Sequence, residues 1–169
     1  MAADHQAEVD DEDPVSSGID ALDLMLAGGV ERGTSTLIVG PAGAGKSTMC
    51  LQWQLAAHRR GERTLFIGFD ETERVFVKRS RGMGIDLAPA AAKGLFTFLA
   101  VDPAEISPGE LTSIIQHHVE QRGVRVVTID TLTGYSHALP ESTLLLLQMH
   151  ELISYLNYSN VVTHLILAQ

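Results

Sequence analysis

Short apolar runs alternate with amphipathic stretches from residue 15 to residue 169. Thr34 to Val39 is an apolar, β-rich run ending at Gly40. It lacks polar alternation and so predicts a strand buried on both faces. Arg63–Phe69, Leu95–Val101, Val124–Ile129 and Val161–Ala168 predict four further strands. Helices are expected between them. Ile19, Leu22 and Leu26 recur at helical spacing, with Asp20 as N-cap and Gly28-Gly29 as the stop. Lys46 to Arg60 reads as a helix closed by Gly61, and Glu71 to Arg81 as another, ahead of Gly82 and Gly84. Pro108 to Gln121 reads as a third, with Pro108 in its first turn. Pro140 to Tyr158 predicts a long apolar helix. Strands alternating with helices predict an α/β fold of three layers, a mostly parallel sheet of about five strands with helices on both faces.

Composition adds little to this picture, and charge adds more. The 169 residues are 45% hydrophobic and 20% charged, ordinary for a globular domain. A net charge of −9 argues against nucleic acid and anionic membrane as partners. No run reaches the roughly 18–20 apolar residues that span a bilayer. Acidic residues crowd the N-terminus (Asp4, Glu8, Asp10 to Asp13), unlike the basic start of a signal peptide. Residues 1–14 read as a solvated, disordered tail ahead of one domain at 15–169. With Cys50 as the sole cysteine no internal disulfide forms, and a reducing, cytoplasmic setting is expected. Cys50 and Trp53 are expected to be core residues.

The chemistry concentrates in Gly40-Pro41-Ala42-Gly43-Ala44-Gly45-Lys46-Ser47-Thr48, which fits G-x-x-x-x-G-K-[ST] between a strand and a helix. Glycines let the backbone wrap closely, so that its N–H groups face phosphate oxygens. The following helix adds the positive end of its dipole. Lys46 is expected to reach the β- and γ-phosphates, and Ser47 to place its hydroxyl on Mg²⁺. Val126 to Ile129 ends in Asp130, a carboxylate at the C-terminal end of a strand, where it is expected to hold the Mg²⁺ shell. Asp70 and Glu71 also follow a strand. They suit the orientation of a water in line with the γ-phosphate; alternatively Asp70 caps the next helix and Glu71 favours its dipole. Gln169 ends the fifth strand as a γ-phosphate sensor or as an unpaired terminal side chain. The absence of N-K-x-D favours ATP over GTP. His117 and His118 are adjacent on a helix, about 100° apart, and cannot easily share a metal ion.

The order Ser17-Gly18-Ile19, Leu22-Asp23, Leu26-Ala27-Gly28-Gly29, Arg32-Gly33, then the glycine loop, Arg60-Gly61-Glu62, Phe69-Asp70-Glu71 and Ile129-Asp130 resembles the KaiC-like branch of RecA-type ATPases. The resemblance covers residues 15–169. It implies a RecA-like core with the fifth strand between the strands that end at Gly40 and at Asp130. It also implies ATP at subunit interfaces of a ring, commonly a hexamer. The family's catalytic carboxylates map onto Asp70 and Glu71. The family often has two glutamates there, and Asp70 is one methylene shorter. Residues 126–169 contain neither Lys nor Arg, so a finger cation from the family's usual C-terminal region is missing. The family's domain continues with further strands. The expectation is therefore a shortened domain with an unpaired sheet edge.

The leading function is Mg²⁺-dependent ATP binding and hydrolysis in a homo-oligomeric ring, the hydrolysis driving a conformational or assembly cycle. One alternative is a serine/threonine autokinase, for which Ser142 and Thr143 are candidate acceptors; their simpler reading is the first turn of the long helix. Another is a nucleotide-binding scaffold without turnover. DNA strand exchange is disfavoured, because Thr131 to His137 carries no basic residue. The cluster Arg74, Lys78, Arg79 and Arg81 reads as a solvated helix face, or as a rim facing a neighbouring subunit.

Overall fold

The structure is a computed structural model that describes residues 13–69, 71–133 and 142–168, excepting the side chains of 142–145. In chain order its elements are α1 (Asp20–Met25), β1 (Ser35–Gly40), α2 (Lys46–Arg59), β2 (Arg63–Gly68), α3 (Glu73–Gly82), α4 (Ala88–Ala92), β3 (Phe96–Ala100), α5 (Pro108–Arg122), β4 (Val124–Asp130), α6 (Ser142–Tyr158) and β5 (Val162–Ala168). All five strands are parallel, in the order β1-β5-β4-β2-β3. The chain forms the expected three-layer α/β architecture, with β5 between β1 and β4.

The period-two geometry of strands builds two cores from alternate residues of the same strands. Leu65, Ile67, Val127, Ile129 and Leu165 face one side, under Leu111 and Ile115 of α5 and Leu152 and Leu156 of α6. Phe66, Phe96, Phe98 and Ile166 face the other, under Cys50 and Leu51 of α2 and Phe76 of α3. Burial on both faces explains why β2 and β4 lack polar alternation. Trp53 is buried as expected, its ring centroid 4.6 Å from that of His164 on β5.

β1 departs from the expectation of burial on both faces. Leu37 is 55% and Val39 44% exposed. Their register partners on β5 are Leu165 and Leu167. They therefore share the face that α5 and α6 cover chiefly over β4 and β5. An apolar run alone does not reveal whether a strand lies at the edge. Because β5 is paired on both sides, the edges of the sheet belong to β1 and β3.

Other boundaries shift for local reasons. Ile19, not Asp20, is the N-cap of α1, and Asp20 sits in its first turn. Thr72 caps α3, its side chain accepting from Val75 N, so the helix starts at Glu73 rather than Glu71. Pro108 opens α5 as expected, behind a capping box of Ser107 and Glu110. The five-residue α4 is too short to show a period and was not predicted from the pattern. Residues 1–12, Asp70, 134–141 and Gln169 lie outside the described residues, and with them most of the acidic tail, one of the paired carboxylates and the sensor candidate. No helix among the described residues is long and apolar enough to cross a membrane.

Candidate nucleotide site

β1 and β4 are separated only by β5, so their C-terminal ends lie close together on one edge of the sheet. Gly40 stands opposite Ala168, and Asp130 opposite Ile166. Crevices at such ends are where open α/β sheets take ligands. β1 delivers the glycine loop to that edge, and β4 delivers Asp130.

The loop turns at Gly43 and Gly45, with φ of 78° and 85°. A Cβ at either position would meet nothing within 4 Å. Glycine is thus required there for its left-handed backbone, not for lack of room. Gly45 is the N-cap of α2 and supplies no side-chain cap, so the helix opens with its N–H groups facing the loop. Lys46 folds back and donates from Nζ to the carbonyls of Gly40 and Pro41, 2.7 Å each. These two bonds hold the ammonium over the mouth of the loop.

Ser47 Oγ donates to Asp130 Oδ2 at 2.5 Å, across 83 residues of sequence. Burial raises the Asp130 carboxyl above its ordinary value, while the Ser47 hydroxyl and the charges of Arg79 and Lys46 oppose that rise and Glu71 adds to it. A hydroxyl and a carboxylate converging at one point are hard oxygen donors of the kind Mg²⁺ takes. Among the described residues there is no cluster of three or more His, Cys, Asp or Glu suited to a metal.

The walls of this cleft, about 350 Å³, come from Ala42 to Thr48, Asp130, Thr131 and Ala168, and also from Arg79 of α3 and its C-cap Met83. The sequence pattern missed both of these. Their four-residue spacing on a helix already known to follow β2 was the available signal. A second cleft, of about 550 Å³, opens beside the same loop and is lined by Ile19, Ile38, Val39 and Met49 together with Ala44 to Lys46.

Glu71 lies just ahead of the α3 cap, and its carboxylate is paired with Arg79. It does not cap α3, a role that Thr72 takes. Arg79 stays solvent-exposed but turns to Glu71 and the loop cleft, whereas Arg74, Lys78 and Arg81 line an outer groove.

Comparison with known proteins agrees with this architecture. A family model described as "ATPase: KaiC" matches residues 15–169. The circadian clock protein KaiC3 of Synechocystis sp. is 29% identical over 140 residues, covering 77% of this chain and 28% of that protein. KaiC2 of Synechocystis sp. is 37% identical over 90 residues, covering 53% of this chain and 16% of that protein. The circadian clock oscillator protein KaiC of Picosynechococcus sp. is 25% identical over 125 residues, covering 74% and 24% respectively. The chain thus spans at most 28% of the length of these relatives. With the family model covering nearly the whole chain over a parallel α/β core, this protein belongs to the KaiC family of RecA-type ATPases.

Proposed function

We propose that the chain binds ATP with Mg²⁺ and hydrolyses it at the cleft between the glycine loop and Asp130. The observation that carries this reading is the convergence of Lys46, Ser47 and Asp130 at one sheet edge, with Ser47 bonded directly to Asp130. Lys46 would exchange its carbonyl partners for phosphate oxygens. The N–H groups of Gly43 to Thr48 would cradle the β-phosphate. The apolar cleft at Ile19, Val39 and Met49 suits a flat base.

Ser47 and Asp130 would hold Mg²⁺, which when bound neutralises charge on the phosphate oxygens. Glu71, with Asp70 as its partner by resemblance, would orient the attacking water and take its proton. The water oxygen bonds to the γ-phosphorus as the bond to the β–γ bridging oxygen breaks, releasing ADP. Gln169 is the candidate sensor at the end of β5. Ring assembly, with residues 15–169 as the repeating unit, is the arrangement the family resemblance favours. The uncovered apolar edge at Leu37 and Val39 supports a covering partner.

The test is phosphate release from Mg·ATP, measured with nucleotide binding, for the native chain and Lys46→Ala. The expected result is saturable release that the variant abolishes, with ATP affinity down by roughly 10- to 100-fold for one charge-assisted contact. Equal ATP binding by both proteins refutes the site. Binding through Lys46 without phosphate release would leave a nucleotide-binding scaffold.

A further inference from the structure

α3 carries four basic residues, and the fold divides them. Arg74, Lys78 and Arg81 line an outer groove. Arg79 is directed elsewhere. Its guanidinium lies 5.4 Å from the centroid of the Phe76 ring, and its side chain lines the loop cleft with Lys46, Ser47 and Asp130. Met83, one helical turn on, stands in the same wall, where Thr48 Oγ1 donates to its sulfur at 3.3 Å. Here Arg79 grips Glu71 with two bonds, Nη2 to Oε1 and Nε to Oε2, the latter at 3.4 Å. The Arg79 and Glu71 side chains are 39% and 23% exposed, so neither is walled in. Asp130 experiences both charges, one favourable and one opposing. A guanidinium is a planar fork that fits a carboxylate or a phosphate equally well.

We propose that Arg79 is a phosphate-reading cation that exchanges the Glu71 carboxylate for the terminal phosphate of a nucleoside triphosphate, releasing Glu71 toward the attacking water. This rests on the nucleotide reading above and adds a residue to it. Two anions compete for one fork. A terminal phosphate carries more charge than a carboxylate and sits above the loop, in the cleft that Arg79 already lines. A diphosphate lacks that group and leaves Arg79 on Glu71. Bound to Arg79, Glu71 has both oxygens held by the guanidinium; released, its carboxylate is free to turn toward the attacking water. Arg79 thus places a cation from within the chain at a site for which residues 126–169 supply none. It makes triphosphate recognition and freeing of Glu71 the same event.

The test is titration of fluorescent N-methylanthraniloyl ATP and ADP, with Mg²⁺, into the native chain and its variants. Arg79→Gln is expected to weaken ATP binding about 10-fold while leaving ADP within about 2-fold. Arg79→Lys, which keeps the charge without the fork, falls between. Glu71→Gln removes the competing anion. ATP then binds about 3-fold more tightly, a gain that vanishes in the Glu71→Gln/Arg79→Gln double variant. Lys78→Gln, on the outer groove, serves as the control and is expected to bind both nucleotides as the native chain does. Circular dichroism melts establish that each variant is folded. An Arg79→Gln protein that binds both nucleotides like the native chain, or loses both equally while folded, overturns the inference and leaves the ATPase reading intact. A native chain that binds neither nucleotide overturns the ATPase reading and this inference together.

Discussion

Mild acid is expected to destabilise the fold through His164, in the middle of the strand that spaces the two halves of the site. His164 is fully buried on β5, between β1 and β4. Its Nδ1 is 3.5 Å from Thr128 Oγ1, its Nε2 has no hydrogen-bond partner, and Trp53 covers its ring. Burial pushes its pKa from 6.5 down to about 4. The imidazole is therefore neutral in the native state and titrates normally once unfolded. For a base whose folded pKa is depressed, stability is complete above pH 6.5 and falls as the pH drops toward 4. Over that whole window the shift amounts to about 3 kcal/mol, and between pH 7.5 and 5 to about 2 kcal/mol. For a chain of this size that is a fall in Tm of about 4–8 °C. His58, also pushed to about 4 by burial, acts in the same direction but is half-buried, and water screens part of its effect. The assay is thermal unfolding followed by Trp53 fluorescence at pH 7.5 and 5, for the native chain and His164→Gln. His58 titrates in both proteins, so the difference isolates His164. The native protein is expected to lose more Tm on acidification than the variant. Equal losses would mean that His164 is not held neutral in the fold, and would refute the reasoning.

Three further predictions test the packing and the site. Gly68→Ala places a Cβ 2.7 Å from Phe98 Cζ at the end of β2 and is expected to cost about 1–3 kcal/mol in urea unfolding, because the ring is itself stacked on Phe66 and Phe76. Ser47→Ala is expected to abolish the Mg²⁺ dependence of nucleotide affinity while leaving metal-free binding within about 3-fold, as read by titration with and without EDTA. Leu37→Thr, on the exposed face of β1, is expected to change stability by less than about 0.5 kcal/mol and to reduce self-association in light scattering.

Most of the fold was legible because its signals are local. The strand–helix alternation, Pro108 at the start of α5 and the glycine loop between a strand and a helix all follow from neighbours along the chain. Two readings depended on what lies across space, and a third on a local cap. The exposure of Leu37 and Val39 depends on which strand and helix stand beside β1. Arg79 looked like one of four solvated cations until α3 was placed against the loop. The Asp70–Glu71 pair resembled a helix start, but Thr72 has the backbone geometry to accept from Val75 N. Trp53 and Cys50 were readable as core residues, because an apolar face on a buried helix has no other use.

Apart from Ile19, which lines the cleft proposed for the base, the residues that carried the family resemblance ahead of the loop form a brace. Asp23 accepts from Ser17 N at 2.8 Å and from Ser16 Oγ, which folds the segment 16–18 back onto α1. Gly29 lies so close to the Val15 carbonyl that a Cβ would overlap it, and Gly33 meets Asn157 of α6 in the same way. Glu62, at the turn into β2, accepts from both Arg32 and Arg60. Burial alone would raise its carboxyl, but the two arginines outweigh burial and hold it below its ordinary value. Arg60 also donates to the Ser16 carbonyl at 3.3 Å. One carboxylate therefore ties the turn ahead of β1 to the C-terminal end of α2. The most diagnostic residues of the chain thus report how the loop is held, and the proposed chemistry rests on the shorter set at Lys46, Ser47, Glu71, Arg79 and Asp130.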